Sequence, residues 1–131
     1  MIDVNDLMLG NWVNDTVLGK VIVLNNLPYG MDLSHSEGIP VTEDMLKRIG
    51  FEEIKDFCPM TFYRYWDKEY RYKLEVDEGY TNSGRKWSVH IDNDVCSTIG
   101  SGEFDYVHEL QNLVRIITGF SLPITKEMLY E

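Results

Sequence analysis

Hydrophobic and polar residues alternate in the middle of the chain with a period of two, which is typical of half-buried antiparallel strands. The alternation is clearest in EYRYKLEV, residues 69–76, and in RKWSVHID, residues 85–92. MTFYRYW, residues 60–66, alternates more loosely, and VCSTIG, residues 95–100, is a candidate short last strand. Together they predict an antiparallel β-meander. Its predicted inward residues are Tyr70, Tyr72, Leu74, Val76, Trp87, Val89 and Ile91.

A helical period replaces this alternation in GIPVTEDMLKRIGF, residues 38–51. Thr42 is a good N-cap, because its hydroxyl can accept a backbone N–H of the first turn. Apolar residues then recur at helical spacing, and Gly50 can adopt the left-handed conformation that ends a helix. The segment predicts a short central helix whose buried face is formed by Met45, Leu46 and Ile49.

The segment YVHELQNLVRIITG, Tyr106 to Gly119, predicts a longer C-terminal helix with Asp105 as its cap. Its apolar stripe consists of Val107, Leu110, Leu113, Val114 and Ile117. Its candidate interaction face consists of His108, Gln111, Asn112 and Arg115. These four could bind a protein partner, or they could solvate the helix or bond the backbone edge of a sheet. The sequence favours the structural role, because a polar outer side is the usual state of an amphipathic helix.

The N-terminal third predicts a β-hairpin, with strands in LGNWV, residues 9–13, and TVLGKVIVLNN, residues 16–26. Residues 27–38 look like a loop. In the tail after Gly119, Pro123 interrupts regular structure and is followed by a final short helix. We therefore expect one α+β domain over residues 1–131. In this fold, antiparallel sheets with an N-terminal β-hairpin are joined by a short central helix, and a C-terminal helix packs on the meander.

The charge of the chain restricts its partners. Lys and Arg number 12 and Asp and Glu number 22, which gives a net charge of −10. Phosphate backbones repel such a chain, so we expect no binding to duplex nucleic acid. The most basic stretch, RYWDKEYRYK at residues 64–73, is interrupted by Asp67 and Glu69 and is typical of strands with charged outer faces.

The cysteines and the apolar runs bear on the compartment. Cys58 and Cys96 are the only cysteines and form no CxxC motif, so they suit reduced thiols better than a disulfide framework. No apolar run approaches the roughly 20 residues of a membrane-spanning helix. The N-terminal residues do not resemble a signal peptide. We expect a cytoplasmic protein that does not associate with membranes.

Candidate chemistry is sparse. His35 and Glu37 are too few for a zinc site. DNDVCSTIGSGE, residues 92–103, places Cys96 where a calcium loop needs an oxygen ligand. Cys96 with His90 or His108 matches no known nucleophile motif, and GSG at residues 100–102 lacks the pattern of a phosphate loop. We expect no metal, no cofactor and no catalytic residue, and the sequence favours a protein that is not an enzyme.

Three segments resemble an uncharacterised family of small proteins from gut anaerobes and their prophages and mobile elements. They are GNWV at 10–13, GIPVTEDMLKRIGF at 38–51 and YVHELQNLVRIITG at 106–119. The family shows GNWV-like, GIPLTEEWLLKFGF-like and VHQLQNLYFALTG-like motifs in the same order. This chain departs at Met45, where the family often has Trp, and at residues 115–117, where it often has aromatic and Ala residues. The resemblance implies one integrated domain and no particular activity.

The sequence thus predicts a small acidic accessory or protein-interaction domain with an unknown protein partner, and the resemblance implies that a prophage or mobile element carries it. Two alternatives stay open. One is an acidic inhibitor of a nucleic-acid enzyme, and the other is a small enzyme with an unrecognised site. A deep pocket lined by convergent polar groups would favour the enzyme, and a flat apolar patch would favour the interaction domain.

Overall fold

Two antiparallel β-sheets and three helices form the described part of the chain in the computed structural model, which describes residues 11–15, 20–23, 36–55, 61–67, 71–79, 84–93 and 99–129. The elements are β1 (Trp12–Asp15), β2 (Lys20–Val23), β3 (Ser36–Glu37), α1 (Glu43–Ile49), β4 (Glu52–Lys55), β5 (Thr61–Trp66), β6 (Tyr72–Glu78), β7 (Trp87–Asn93), β8 (Gly100–Phe104), α2 (Val107–Thr118) and α3 (Lys126–Leu129). The predicted α+β class is confirmed. Both cysteines, Tyr70 and His35 lie outside the described residues.

The larger sheet is a five-stranded meander in the order β4-β5-β6-β7-β8. Its inner face carries Tyr63, Leu74, Val76 and the predicted inward residues of β7, all of which are buried. Two differences from the prediction stand out. The last strand is β8, Gly100–Phe104, rather than residues 95–100. The meander also has an edge strand, β4, that the sequence does not predict.

The smaller sheet has the order β2-β1-β3. The predicted N-terminal hairpin is confirmed, because β1 and β2 pair antiparallel with Trp12 opposite Val23. The two residues of β3 lie in the segment predicted as a loop, and they pair with Asn14 and Asp15 on the other side of β1.

Helix α1 forms as predicted. The Thr42 hydroxyl accepts the Met45 backbone N–H at 3.2 Å, and Gly50 has a φ of 122° at the C-terminal end. Met45, Leu46 and Ile49 are buried. All of these determinants lie within one short segment, so the helix is specified locally.

Helix α2 begins at Val107, one residue later than it would if Asp105 were its cap. Tyr106 has the extended conformation of an N-cap residue. The Glu109 carboxylate accepts the backbone N–H groups of Asp105 and Tyr106 at 3.1 and 3.2 Å. The Asp105 carboxylate instead accepts the backbone N–H of Lys86 at 2.7 Å, and so joins the start of β7 to the start of α2.

The C-terminal helix packs on the meander as predicted, and two glycines of β8 allow a close approach. A Cβ atom built on Gly102 would lie 2.4 Å from the Leu113 side chain, and one on Gly100 would lie 2.8 Å from Ile117. The GSG segment at residues 100–102, which lacks the pattern of a phosphate loop, therefore serves helix packing.

The buried core lies between the meander and the helices. Trp87 is 1% exposed, stacks on Phe104 at 6.5 Å and donates its indole N–H to the Val41 carbonyl at 3.2 Å. Residues 39–41 run antiparallel to the start of α2, because Val41 donates its N–H to Asp105 and Val107 donates to Ile39. The segments that precede α1 and α2 are thus joined directly.

Candidate functional site

The predicted interaction face of α2 is divided between the interior and the surface. His108 is 3% exposed and its ring stacks on Tyr106 at 5.8 Å. Gln111 and Asn112 are half-buried, and only Arg115 of the four is exposed. The structure therefore does not bring these four side chains to one open surface.

Gln111 and Asn112 contact the N-terminal sheet. The Gln111 amide oxygen accepts the Trp12 backbone N–H at 2.9 Å, and the Asn112 amide oxygen accepts the Asn11 side-chain N–H at 2.9 Å. Gln111 thus bonds the backbone of β1, the middle strand of the smaller sheet, whereas the role predicted from the sequence is a bond to the edge of the sheet on which the helix lies. Whether the four residues also bind a partner stays a prediction.

A cleft of about 480 Å³ lies where the helices stop covering the inner face of the meander. Its lining comes from the ends of β5 and β6 and from the residues that follow α2. The lining residues are Tyr65, Asp67, Arg71, Tyr72, Thr118, Gly119, Phe120, Ser121 and Pro123. Its volume is within the usual range of ligand sites, about 300–1,000 Å³.

Three half-buried aromatic side chains shape this cleft. Tyr72 stacks on Phe120 at 5.8 Å between ring centroids, and Tyr65 packs against Phe51 at 5.2 Å. Phe120 is held in place after the helix because the Thr118 hydroxyl donates to the Val114 carbonyl and accepts the Phe120 N–H at 3.2 Å. The cleft thus has rigid aromatic surfaces.

The charged residues of the cleft are Asp67 and Arg71. Asp67 is half-buried, and its carboxylate accepts the backbone N–H groups of Arg71 at 2.6 Å and Tyr72 at 3.3 Å. Arg71 is exposed. Burial raises the pKa of Tyr65, and the negative charge of Asp67 raises it further.

Two polar side chains of the cleft make hydrogen bonds to the backbone. Its described lining contains no His, Cys or Lys. The carboxylate of Asp67 accepts backbone N–H groups, and the hydroxyl of Thr118 donates to a helix carbonyl. A nucleophile beside a general base, the usual sign of covalent or acid–base catalysis, is not present among these residues.

Sequence reasoning did not find this cleft. Tyr65 and Tyr72 look like ordinary strand residues, and Phe120 follows α2 by two positions. No spacing within the chain shows that they meet. The stretch RYWDKEYRYK, residues 64–73, does combine tyrosines with charged residues. This pattern is also typical of strands with charged outer faces, so it does not identify a cleft by itself.

The outer face of the meander is predominantly acidic. Cross-strand pairing places on this face four accessible carboxylates and two basic side chains, which are Glu52, Glu75, Asp92, Glu103, Arg64 and Lys73. The carboxylate of Asp77 lies on the same face but is buried and accepts the Ser88 hydroxyl at 2.8 Å. Glu75 bridges Arg64 and Lys73 at 3.1 and 3.3 Å. Trp66, which is 44% exposed, lies on the same face.

The other candidate sites gain no support from the described residues. Glu37 is exposed in β3, and no group of three or more His, Cys, Asp or Glu side chains in the described ranges could hold a metal ion. His90 is exposed on β7, whereas His108 is buried in α2. None of the helices in the described part is long and apolar enough to cross a membrane.

No family model, curated protein or solved structure matches this chain. The resemblance to proteins of gut anaerobes and their mobile elements therefore stays a prediction.

Proposed function

We propose that this protein is a small acidic protein-interaction domain that binds a segment of its partner in the cleft beside Tyr65, Tyr72 and Phe120. The observation that carries the proposal is that the helices do not cover the whole inner face of the meander, and the cleft lies where that cover stops. The aromatic side chains there are half-buried, although neighbouring inner-face residues of the same strands, Tyr63 and Leu74, are buried.

The chemistry of the lining supports binding. Aromatic residues supply large rigid contact areas at a low cost in conformational entropy, and they are enriched where proteins bind one another. Among the described polar groups of the cleft, Asp67 accepts the N–H groups of Arg71 and Tyr72, and Thr118 bonds Val114 and Phe120. An accessory protein needs only such a surface. Its cytoplasmic location is a further prediction from the sequence, and its origin in a prophage or mobile element is what the family resemblance implies.

Affinity purification from the native host tests this function. Wild-type protein is compared with Phe120→Ala, which removes one wall of the cleft, and with Trp66→Ala, which removes an exposed aromatic ring from the outer face. We expect a partner that is captured by the wild type and by Trp66→Ala and is lost with Phe120→Ala. Folding of each variant is checked by circular dichroism. Equal capture by all three proteins would contradict the proposal.

A second candidate function, inhibition of a nucleic-acid enzyme, is favoured by the acidic outer face of the meander. Carboxylates on a rigid sheet can occupy a basic groove in place of phosphates, because both supply negative charge. In the same purification, the triple variant Glu52→Gln, Asp92→Gln and Glu103→Gln would then lose a nucleic-acid enzyme that Phe120→Ala retains. Retention by the triple variant would contradict inhibition through this face.

A further inference from the structure

We propose that the cleft receives an arginine side chain of the protein partner, which stacks on the aromatic rings and pairs with the carboxylate of Asp67. This proposal rests on the interaction function proposed above and specifies the chemistry of the partner.

The shape of the aromatic surface favours a planar group. Tyr72 and Phe120 stack with their ring planes 26° apart and both line the cleft, as does Tyr65. A guanidinium is flat, delocalised and weakly hydrated, so it stacks on aromatic faces more readily than an ammonium does. The volume of about 480 Å³ is ample for one such side chain.

The charges favour a cation over an anion. The half-buried charge in the lining is the negative Asp67, whereas the positive Arg71 is exposed. Gly119, at the C-terminal end of α2, also lines the cleft, and that end of a helix carries partial negative charge. The net charge of −10 attracts a basic partner in addition. Charge complementarity therefore selects a basic segment.

Asp67 has capacity for a further hydrogen-bond donor. A carboxylate presents about four lone-pair sites on its two oxygens. The two N–H groups of Arg71 and Tyr72 are both directed at Oδ1. A guanidinium in the cleft can therefore bond this carboxylate without displacing its hydrogen bonds to Arg71 and Tyr72.

Nuclear magnetic resonance titration of the full chain tests the proposal with a short capped glycine peptide that has arginine at its centre. The matched probes are the same peptide with citrulline, which is nearly isosteric and neutral, and with lysine. We expect the arginine peptide to shift the ring resonances of Tyr65, Tyr72 and Phe120. We expect it to bind about tenfold more tightly than either control, which corresponds to one well-placed charged or stacking contact.

Two variants isolate the role of Asp67. Asp67→Asn keeps an oxygen acceptor for the turn and removes the charge, so arginine-peptide binding should weaken about tenfold. Asp105→Asn is the matched control, because that carboxylate also accepts a backbone N–H, from Lys86, outside the cleft. It should bind the peptide like the wild type.

The possible failures are distinguishable. Equal binding of the arginine, lysine and citrulline peptides, or no effect of Asp67→Asn, would overturn the arginine assignment. No ring shifts with the arginine peptide at about 10 mM would overturn it as well. If Phe120→Ala still abolished capture of a partner from the host, the interaction function would stand and the chemistry of its partner would have to be different.

Discussion

The amide oxygen of Gln111 accepts the backbone N–H of Trp12 at 2.9 Å, although the two residues are 99 positions apart in the chain. Asn112 makes the adjacent contact to Asn11, which is 2% exposed, and the Trp12 indole donates to the Ile124 carbonyl at 3.2 Å. The polar side of α2 is therefore a joint between the helix and the N-terminal sheet.

Replacing Gln111 should destabilise the fold more than its position on a polar helix face suggests. Gln111→Ala leaves the Trp12 N–H without its acceptor, and a half-buried donor that loses its partner costs about 1–3 kcal/mol. The sequence alone predicts about 0.5 kcal/mol or less, the usual range for surface positions. Urea unfolding decides between the two values, with the exposed Arg115→Ala as the matched control. A cost of about 0.5 kcal/mol or less for Gln111→Ala would show that the joint contributes little to stability.

Gly102→Ala should destabilise the protein by about 1–3 kcal/mol, the range for overpacking a closely packed site. The reason is the 2.4 Å separation between the added Cβ and the Leu113 side chain. Ser101→Ala, on the exposed side of the same strand, should change the free energy of unfolding by about 0.5 kcal/mol or less. In a Leu113→Ala background, which removes the clashing atoms, Gly102→Ala should cost much less. An additive double variant would refute the clash.

The stability of the protein should fall in alkaline solution because of Tyr63. This residue is 2% exposed, and its hydroxyl donates to the Glu43 carboxylate. Burial, and then this hydrogen bond, raise the pKa of Tyr63 above the ordinary value of 10.0, so the folded state keeps a proton that the unfolded state releases. The stabilisation is fully present below about pH 10 and is lost as the pH rises further.

Urea unfolding at intervals from about pH 8 to about pH 11 measures this loss. Tyr63→Phe should flatten the decline, although it is less stable at neutral pH by about 1 kcal/mol because the hydrogen bond is removed. Adding Tyr65→Phe should flatten it further, because burial also raises the pKa of Tyr65. A decline that is as steep in the double variant as in the wild type would assign the alkaline loss to other groups.

Duplex DNA should not bind at physiological salt. The net charge is −10, and carboxylates outnumber basic side chains on the outer face of the meander. Phosphate contacts dominate DNA affinity, so the protein lacks its main source of attraction. A gel-shift titration over a range of salt concentrations is the measurement. Tight binding that weakens steeply with salt would refute the prediction.

The elements that the sequence predicts well depend on local determinants. The cap, the buried face and the closing glycine of α1 all lie within residues 42–50, so neighbouring residues alone define the helix. The buried apolar residues of β6 and β7 follow from the period of two, although Asp77 and Ser88 on the opposite face are buried as well. Strand β4 was missed because its four residues, EEIK, include no fully buried side chain.

The site depends on tertiary contacts that no periodicity shows. A polar helix face is expected to be solvated. In α2 part of this face instead contacts the N-terminal sheet, where the amide oxygens of Gln111 and Asn112 accept hydrogen bonds from Trp12 and Asn11. The cleft likewise requires that Phe120 reach Tyr72 from another part of the chain. The residues of the helix–sheet joint lie in two segments, GNWV and YVHELQN, that are far apart in the chain.

The pairing of residues 39–41 with the start of α2 has a consequence for the order of folding. Each hairpin of the meander joins strands that are neighbours in sequence, whereas Pro40 pairs with Tyr106 across the whole meander. Contacts between distant residues have a larger entropy of closure and tend to form after local ones. The meander is therefore expected to assemble first, and the two long-range N–H groups, those of Val41 and Val107, to become protected from hydrogen exchange last.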